Sequence, residues 1–154
     1  MRPVTRVYVD TSVLGGAFDD EFSDESRAFF EAASSGRFHI VISGIVRAEI
    51  ESAPIEVQEF FADMISTMEL VDVDVDALRL LQEYMAAGVV SPKWRDDALH
   101  VATATVSGCS MIVSWNFRHI VHYQKIPKYN AVNMLNGYPP IAIHSPLEVI
   151  PDED

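Results

Sequence analysis

The sequence contains a single cysteine, Cys109, among its 154 residues. One thiol cannot form a disulfide within the chain, and it cannot supply a zinc site built from several cysteines. Long apolar runs are also missing: no stretch approaches the roughly 18 apolar residues of a membrane span, and the start, MRPVTRVYVD, lacks the apolar core of a signal peptide. We therefore expect a cytoplasmic protein without a membrane partner.

Basic residues are scarce, since 11 Lys and Arg stand against 23 Asp and Glu, for a net charge of −12 with neutral His. This balance disfavours a broad basic surface for phosphate backbones, so any polyanion must be bound locally. The hydrophobic content of 49% and the charged content of 22% are ordinary for a globular protein. The length predicts one domain over residues 1–150, followed by an acidic tail at 151–154.

Short apolar runs alternate with helical patterns along the chain. Strands are predicted at residues 6–10, 38–43, 70–76, 109–115 and 141–144, the third of them at a sheet edge. Helices are predicted at 23–33, 45–52, 55–67, 76–84 and 93–107, and the Gly15-Gly16 pair predicts a break after the first strand. Strands separated by helices indicate a three-layer α/β/α domain with a mainly parallel central sheet.

Acids and an amide stand where the predicted strands end. Asp10 ends the first strand, Glu49 lies about one helical turn after the second, and Asn116 follows the fourth. Asp96 and Asp97 begin the helix that leads into the fourth strand. Because ligands of open α/β sheets bind beyond the carboxyl ends of the strands, these oxygens can converge on a divalent cation such as Mg²⁺. Such an ion can polarise a phosphodiester and activate water.

Each of these residues, taken alone, also has a purely structural explanation. Asp10 could cap the following turn, and acids in the first turn of a helix suit its dipole. Glu49 could be a solvated helix residue, and Asn116 could cap the NFRH turn that follows it. Only the joint placement of these side chains favours a functional site.

Four segments, in order, resemble the motif regions of the PIN-domain family. They are VYVDTSVL from Val7, SGIVRAEIES from Ser43, WRDDALHVATA from Trp94 and CSMIVSWNFRHI from Cys109. The sequence is most similar to bacterial toxins of the VapC type. The resemblance implies a PIN-like parallel sheet flanked by helices and a ribonuclease that depends on Mg²⁺ or Mn²⁺. It also implies a homodimer and a cognate antitoxin that occupies the site.

The resemblance assigns roles to the acids by position. Asp10 matches the first acid of the family, Glu49 the second and Asp97 the third, with Asp96 as its alternative. Asn116 falls where the family often has a fourth acid. An amide oxygen can bind a metal but carries no negative charge, so we expect weaker metal affinity than with a carboxylate.

Other family positions are matched by polar side chains. Thr11 or Ser12 matches the hydroxyl that commonly follows the first acid, and His119 falls near a place where relatives often have another Asp. We hypothesise that Asp10 and Asp97 bind one Mg²⁺ with help from Asn116. Glu49 would orient or deprotonate the attacking water.

RNA phosphates need cations, and three basic residues lie near the predicted site in the sequence. They are Lys93, Arg95 and Arg118. Trp94, which we expect to be exposed between the first two, is a candidate for stacking on an unpaired base. A tryptophan in the core would fit the sequence equally well.

Two other functions fit the same residues. A PIN-like domain with a weakened site could bind RNA or a protein without cleaving, as the substitutions at Asn116 and His119 suggest. A phosphatase of the haloacid-dehalogenase type also has an Asp after its first strand, but it needs a second Asp two residues later. Ser12 stands at that position.

Overall fold

The computed structural model describes residues 4–151, so the predicted acidic tail lies outside the described residues except for Pro151. The strands are β1 (Thr5–Val9), β2 (Phe38–Ser43), β3 (Glu69–Val71), β4 (Met111–Val113) and β5 (Ala142–His144). The helices are α1 (Thr11–Gly16), α2 (Ser23–Ser34), α3 (Gly44–Ile50), α4 (Ile55–Met64), α5 (Val75–Ala86), α6 (Arg95–Val106), α7 (Ile126–Leu135) and α8 (Pro146–Val149).

The five strands form one parallel sheet in the order β3-β2-β1-β4-β5, flanked by helices. The predicted three-layer α/β/α fold with a parallel sheet is therefore confirmed. The chain builds outward from β1 on one side through β2 and β3, then returns to place β4 on the other side. This reversal makes the carboxyl end of β1 the switch point of the sheet, where ligands bind in such folds.

The apolar residues of β1 suit its position as the central strand of the sheet. Val7, Tyr8 and Val9 are fully buried, as expected for a strand covered by helices on both faces. The register pairs Val9 with Val113 of β4, so Asp10 and Ser114 leave the sheet side by side. The pairing of β1 with β4 thus places Ser114 next to Asp10.

The predicted break at Gly15-Gly16 is wrong, because both glycines belong to helix α1. Gly16 is needed for close packing. A Cβ atom there would lie 2.6 Å from the Ser26 hydroxyl and 2.8 Å from Nε1 of Trp115. These two side chains are themselves hydrogen bonded at 2.8 Å. Gly16 therefore allows the close approach of α1 to α2 and Trp115.

Replacing Gly16 with Ala should destabilise the protein by about 1–3 kcal/mol, because the new methyl group overpacks this contact. Gly15 is the matched control, since a Cβ there meets nothing within 4 Å. Gly15→Ala should leave the free energy of unfolding unchanged or raise it by up to about 1 kcal/mol through helix propensity. Urea unfolding of both variants measures the difference, and equal stabilities would contradict the packing argument.

The end of β3 and the start of α5 also differ from the predictions. The alternating run after Leu70 extends as a strand only to Val71. Asp74 then caps α5 by accepting the N–H of Ala77 at 3.0 Å, in place of the predicted cap at Asp76. The acids of this run therefore belong to a loop and a helix start, where a side-chain cap outweighs the strand-like alternation.

Helices α7 and α8 are absent from the predictions, and the fourth strand is shorter than expected. The α7 segment, IPKYNAVNML, has no clear apolar face in the sequence, because a polar residue, Asn133, lies on the side of the helix that faces the core. This asparagine forms hydrogen bonds with residues far away in the sequence. The Asn133 amide donates to Thr105 Oγ1 at 3.3 Å, and its carbonyl oxygen accepts the hydroxyl of Tyr84. Such long-range polar partners mask the helical period in the sequence.

Candidate active site

Asp10 is buried at the carboxyl end of β1, with 4% of its surface exposed. It occupies the N-cap position of α1, but its side chain makes no capping bond. Instead, its two oxygens accept the hydroxyls of Ser12 and Ser114, each at 2.5 Å. Burial raises the pKa of Asp10, and the two serine bonds and the charge of His100 only partly offset this effect. A buried carboxylate that is costly to ionise favours a cation beside it.

The two serines are fixed by backbone donors from the loop that follows β4. Trp115 N–H donates to Ser12 Oγ and Asn116 N–H donates to Ser114 Oγ, both at 2.9 Å. Each hydroxyl therefore accepts from the loop and donates its own proton to Asp10. The Thr11 hydroxyl, in contrast, is buried and has no hydrogen-bond partner among residues 4–151. Of the two hydroxyls predicted to support Asp10, the fold brings Ser12 to it.

A serine after the first acid also bears on the phosphatase alternative. That class of enzyme needs a second Asp two residues after the first, which is position 12 here. Ser12 instead donates its hydroxyl proton to Asp10. Both Asp10 oxygens thus already accept hydrogen bonds, an arrangement suited to fixing a carboxylate in place.

One buried histidine, His100 of α6, contacts the predicted acid Glu49. Its Nε2 lies 2.8 Å from Glu49 Oε1. Burial by itself would lower the pKa of His100, but the Glu49 bond and the charges of Asp10, Glu49 and Asp97 outweigh burial and raise it. His100 thus bonds Glu49 directly, and the charges of Asp10 and Asp97 also act on it.

Asp97 is held by His119 from the loop after β4. Its Oδ2 lies 2.9 Å from His119 Nδ1, and the imidazole stacks on Trp94 with 4.4 Å between the ring centroids. Trp94 is therefore half-buried against His119, and the expectation of an exposed ring is wrong. Asp96, the alternative third acid, is exposed and lies 3.6 Å from Arg95.

Asn116 caps the turn that follows it. Its Oδ1 accepts the backbone N–H groups of Arg118 at 3.2 Å and His119 at 2.9 Å. These two bonds use both lone pairs of the amide oxygen, so metal binding by Asn116 would have to replace one of them. The fold supports the capping role directly.

The predicted RNA-binding residues lie on the protein surface. Lys93, Arg95 and Arg118 are exposed. Lys93 Nζ lies 5.0 Å from the centre of the Trp94 ring, a cation–π contact on the residue that stacks on His119. The two segments that carry the basic side chains thus meet through Trp94 and His119.

The oxygen donors fit a hard divalent cation held by few protein ligands. Among residues 4–151, no three Asp, Glu, His or Cys side chains are grouped as a metal cage. Mg²⁺ does not require such a cage, because it is usually bound through one or two carboxylates while keeping several waters. Asp97 Oδ1 and Glu49 Oε2 have no hydrogen-bond partner within the described part of the chain. These two oxygens, Asp97 Oδ1 and Glu49 Oε2, are the ones open to a ligand.

The sequence assigned no role in the site to three residues. Two of them bond these acids directly, and the third bonds one of those two residues. Ser114 bonds Asp10, His100 bonds Glu49, and Tyr8 bonds His100. The available signal for Ser114 is its place at the end of an apolar strand, beside the predicted ligand Asn116. His100 lies on an apolar helix face, which is typical of a packing histidine, and its complete hydrogen bonding agrees with that interpretation.

Comparison with known proteins identifies the family. The model of the PIN domain family matches residues 7–119, which include all the acids discussed above. The chain belongs to the PIN domain family.

The fold is also similar to that of a chain in the crystal structure of VapBC2 from Rickettsia felis bound to a DNA fragment from their promoter. The TM-score is 0.60 at 16% identity, over 92% of this chain and 98% of that one. This similarity supports the PIN-like fold with a parallel central sheet. No curated protein matches the sequence. Within the described residues, no helix is long and apolar enough to cross a membrane.

Proposed function

We propose that this PIN domain is an endoribonuclease that depends on Mg²⁺ or Mn²⁺ and acts in the cytoplasm as the toxin of a toxin–antitoxin pair. The observation that carries the proposal is the buried Asp10 carboxylate at the switch point of the sheet, whose charge acts on His100 together with those of Glu49 and Asp97. Glu49 of α3 lies 2.8 Å from His100, and Asp97 is on the same helix, α6, as that histidine. Family membership adds support, because PIN domains are typically nucleases.

The surroundings of each acid suit a different role in the proposed reaction. Asp10 and Asp97 would hold the divalent ion, since Ser12 and Ser114 fix the first and His119 fixes the second. When bound, that ion would polarise the phosphodiester and acidify a water. Glu49 is 44% exposed, so water reaches its carboxylate, which would orient the attacking water and accept its proton.

The basic side chains would hold the RNA backbone next to these acids. Lys93 and Arg95 flank Trp94, and Arg118 projects from the loop that carries His119. Their small number agrees with the net charge of −12, because binding would be confined to this surface. We expect a restricted substrate and a modest affinity for RNA of arbitrary sequence.

Reversing two of these charges should weaken RNA binding in a salt-dependent way. Lys93→Glu with Arg95→Glu should reduce the slope of log affinity against log salt by about 1.4, which is two phosphate contacts at about 0.7 each on a single strand. Filter binding of a single-stranded RNA between low and moderate salt measures the slope.

The control is Arg37→Glu with Arg79→Glu, which changes the net charge equally at two exposed positions outside this surface. The control should retain the wild-type slope. An equal loss in both double variants would mean that only the total charge matters, and would contradict the assigned surface.

The proposal includes two protein partners. A cognate antitoxin would cover the acids, and a second copy of the chain would form a homodimer. The similar fold in VapBC2 supports the first expectation, while the second rests on the family resemblance. Sedimentation of the purified chain, alone and with a candidate antitoxin, tests both.

A second candidate function is a PIN-like module that binds RNA without cleaving it. Two observations favour it: His119 occupies one oxygen of Asp97, and Asn116 contributes no charge and is used as a cap. Incubation of labelled single-stranded RNA and DNA of the same sequence with Mn²⁺ separates the two functions. The ribonuclease cleaves the RNA alone, whereas the module retains intact RNA.

A further inference from the structure

A chain of buried hydrogen bonds ends at Glu49. Ser43 Oγ lies 2.7 Å from the Tyr8 hydroxyl, and that hydroxyl lies 2.7 Å from His100 Nδ1. His100 Nε2 then reaches Glu49 Oε1 at 2.8 Å. Tyr8 and Ser43 are fully buried and His100 is 3% exposed, whereas Glu49 faces solvent. We call Ser43, Tyr8 and His100 the buried chain.

The donor and the acceptor in each of these hydrogen bonds follow from the chemistry of the groups. The Glu49 carboxylate only accepts, so Nε2 of His100 must carry a proton. In the neutral ring Nδ1 is then an acceptor, the Tyr8 hydroxyl donates to it, and Ser43 donates to Tyr8. If the ring also carries a proton on Nδ1, the last two bonds reverse. Nε2 donates to Glu49 in both cases.

Ser43 links the buried chain to the backbone of the helix that carries Glu49. It caps α3 by accepting the N–H of Ile45 at 3.2 Å, while its hydroxyl also bonds Tyr8. Glu49 is therefore fixed twice relative to β1: through the start of its helix and through its own carboxylate. A half-exposed Glu without such contacts would sample several rotamers.

We infer that His100 is a positioning residue which, supported by Tyr8 and Ser43, holds the Glu49 carboxylate in the orientation needed to receive the proton of the attacking water. This inference rests on the proposed function. The bonded Oε1 is turned towards the protein interior, which leaves Oε2 for the solvent side. His100 acts through Glu49 and is not itself placed against the substrate.

The test compares variants that keep or remove the donor to Glu49. His100→Leu removes it and should lower kcat for Mn²⁺-dependent RNA cleavage by about 10–100-fold, with KM changed by less than about threefold. His100→Gln can place an amide N–H near the position of Nε2, and it should recover most of the lost kcat. A purely structural role would not be rescued in kcat by a polar side chain.

Tyrosine variants give a matched comparison that keeps the ring in place. Tyr8→Phe removes only the hydroxyl at His100 and should lower kcat by about tenfold. Tyr84→Phe removes an equally buried hydroxyl, bonded to Asn133 away from these acids, and should keep kcat within about twofold. Circular dichroism confirms that each variant is folded, and Tyr8→Phe decides the outcome if His100→Leu fails to fold.

Nitrogen-15 NMR of the imidazoles gives a readout independent of cleavage. We expect a protected proton on Nε2 of His100 in the wild type. A ring protonated only on Nδ1 would overturn the inference, as would wild-type kcat in folded His100→Leu or Tyr8→Phe. A wild type that cleaves no RNA would overturn the proposed function and this role with it. The positioning role fails alone when the wild type cleaves and the variants cleave equally well.

Discussion

Replacing Asp10 with Asn should reduce Mn²⁺-dependent RNA cleavage by about a hundredfold or more, beyond the loss typical for residues that only support a ligand. The substitution removes the buried negative charge nearest the proposed ion. The amide can still accept one serine hydroxyl and donate to the other serine oxygen, so the bonds to Ser12 and Ser114 do not require unfolding. Initial rates of cleavage of a labelled single-stranded RNA measure the effect.

Asp96→Asn is the matched control for this prediction. Asp96 is also an aspartate near the site, but its side chain is 75% exposed and its ion pair with Arg95 is on the surface. Its replacement should change the rate by less than about threefold. Cleavage by Asp10→Asn at the wild-type rate, or an equal loss in both variants, would contradict the role assigned to Asp10.

Mn²⁺ should stabilise the wild-type protein against unfolding and leave Asp10→Asn nearly unaffected. An ion bound only to the folded state adds about 2.7 kcal/mol at a concentration of 100 times its Kd. Thermal melts with increasing Mn²⁺ measure the shift in Tm. Equal shifts for both proteins would place the ion elsewhere and contradict the assignment of Asp10 as a ligand.

The same residue predicts how stability depends on pH without metal. Burial raises the folded-state pKa of Asp10, so the folded protein binds more protons than the unfolded chain above the unfolded value of about 3.9. The contribution of Asp10 to the free energy of unfolding therefore falls as pH rises from that value through the folded pKa. Asp10→Asn removes this loss, so at pH 7 in EDTA the variant should unfold at a higher urea concentration than the wild type.

Urea unfolding at pH 4 and at pH 7 tests this sign. The advantage of Asp10→Asn should be present at pH 7 and much smaller at pH 4, where Asp is about half protonated in the unfolded chain as well. A larger advantage at pH 4 would contradict a raised pKa for Asp10.

The parts of the fold that the sequence predicted are those governed by local composition. The strand before Asp10 and the strand at 38–43 contain the apolar runs VYV and IVI, and α2 ends at Ser34, one residue after its predicted end at Ala33. Burial of a parallel strand on both faces imposes such runs. The placement of the acids at strand ends then followed from the general geometry of open sheets.

The contacts that orient the acids depend on residues far apart in the sequence. Ser114 reaches Asp10 across 104 positions, and Tyr8 reaches His100 across 92. His119 reaches Asp97 from a loop that the sequence marked only as a polar turn. Nothing in the local pattern around any of these residues identifies its partner, because the partner is set by strand order and register.

The low number of basic residues is compatible with RNA binding under the proposed function. The acids at the switch point are part of the charge of −12, and a bound cation would offset their repulsion where RNA must approach. The exposed Lys93, Arg95 and Arg118 lie on the segments joined by Trp94 and His119. Under the proposed function, these few basic residues would contact the RNA.

The central claim is that the wild-type chain cleaves RNA only with a divalent ion. The measurement is the initial rate of cleavage of a single-stranded RNA by the purified protein as Mn²⁺ is titrated into a metal-free preparation, followed by chelation with EDTA. We expect no cleavage at the start, a saturable rise with Mn²⁺ and complete loss on chelation. No cleavage at saturating Mn²⁺, or a rate that chelation leaves unchanged, would contradict the claim.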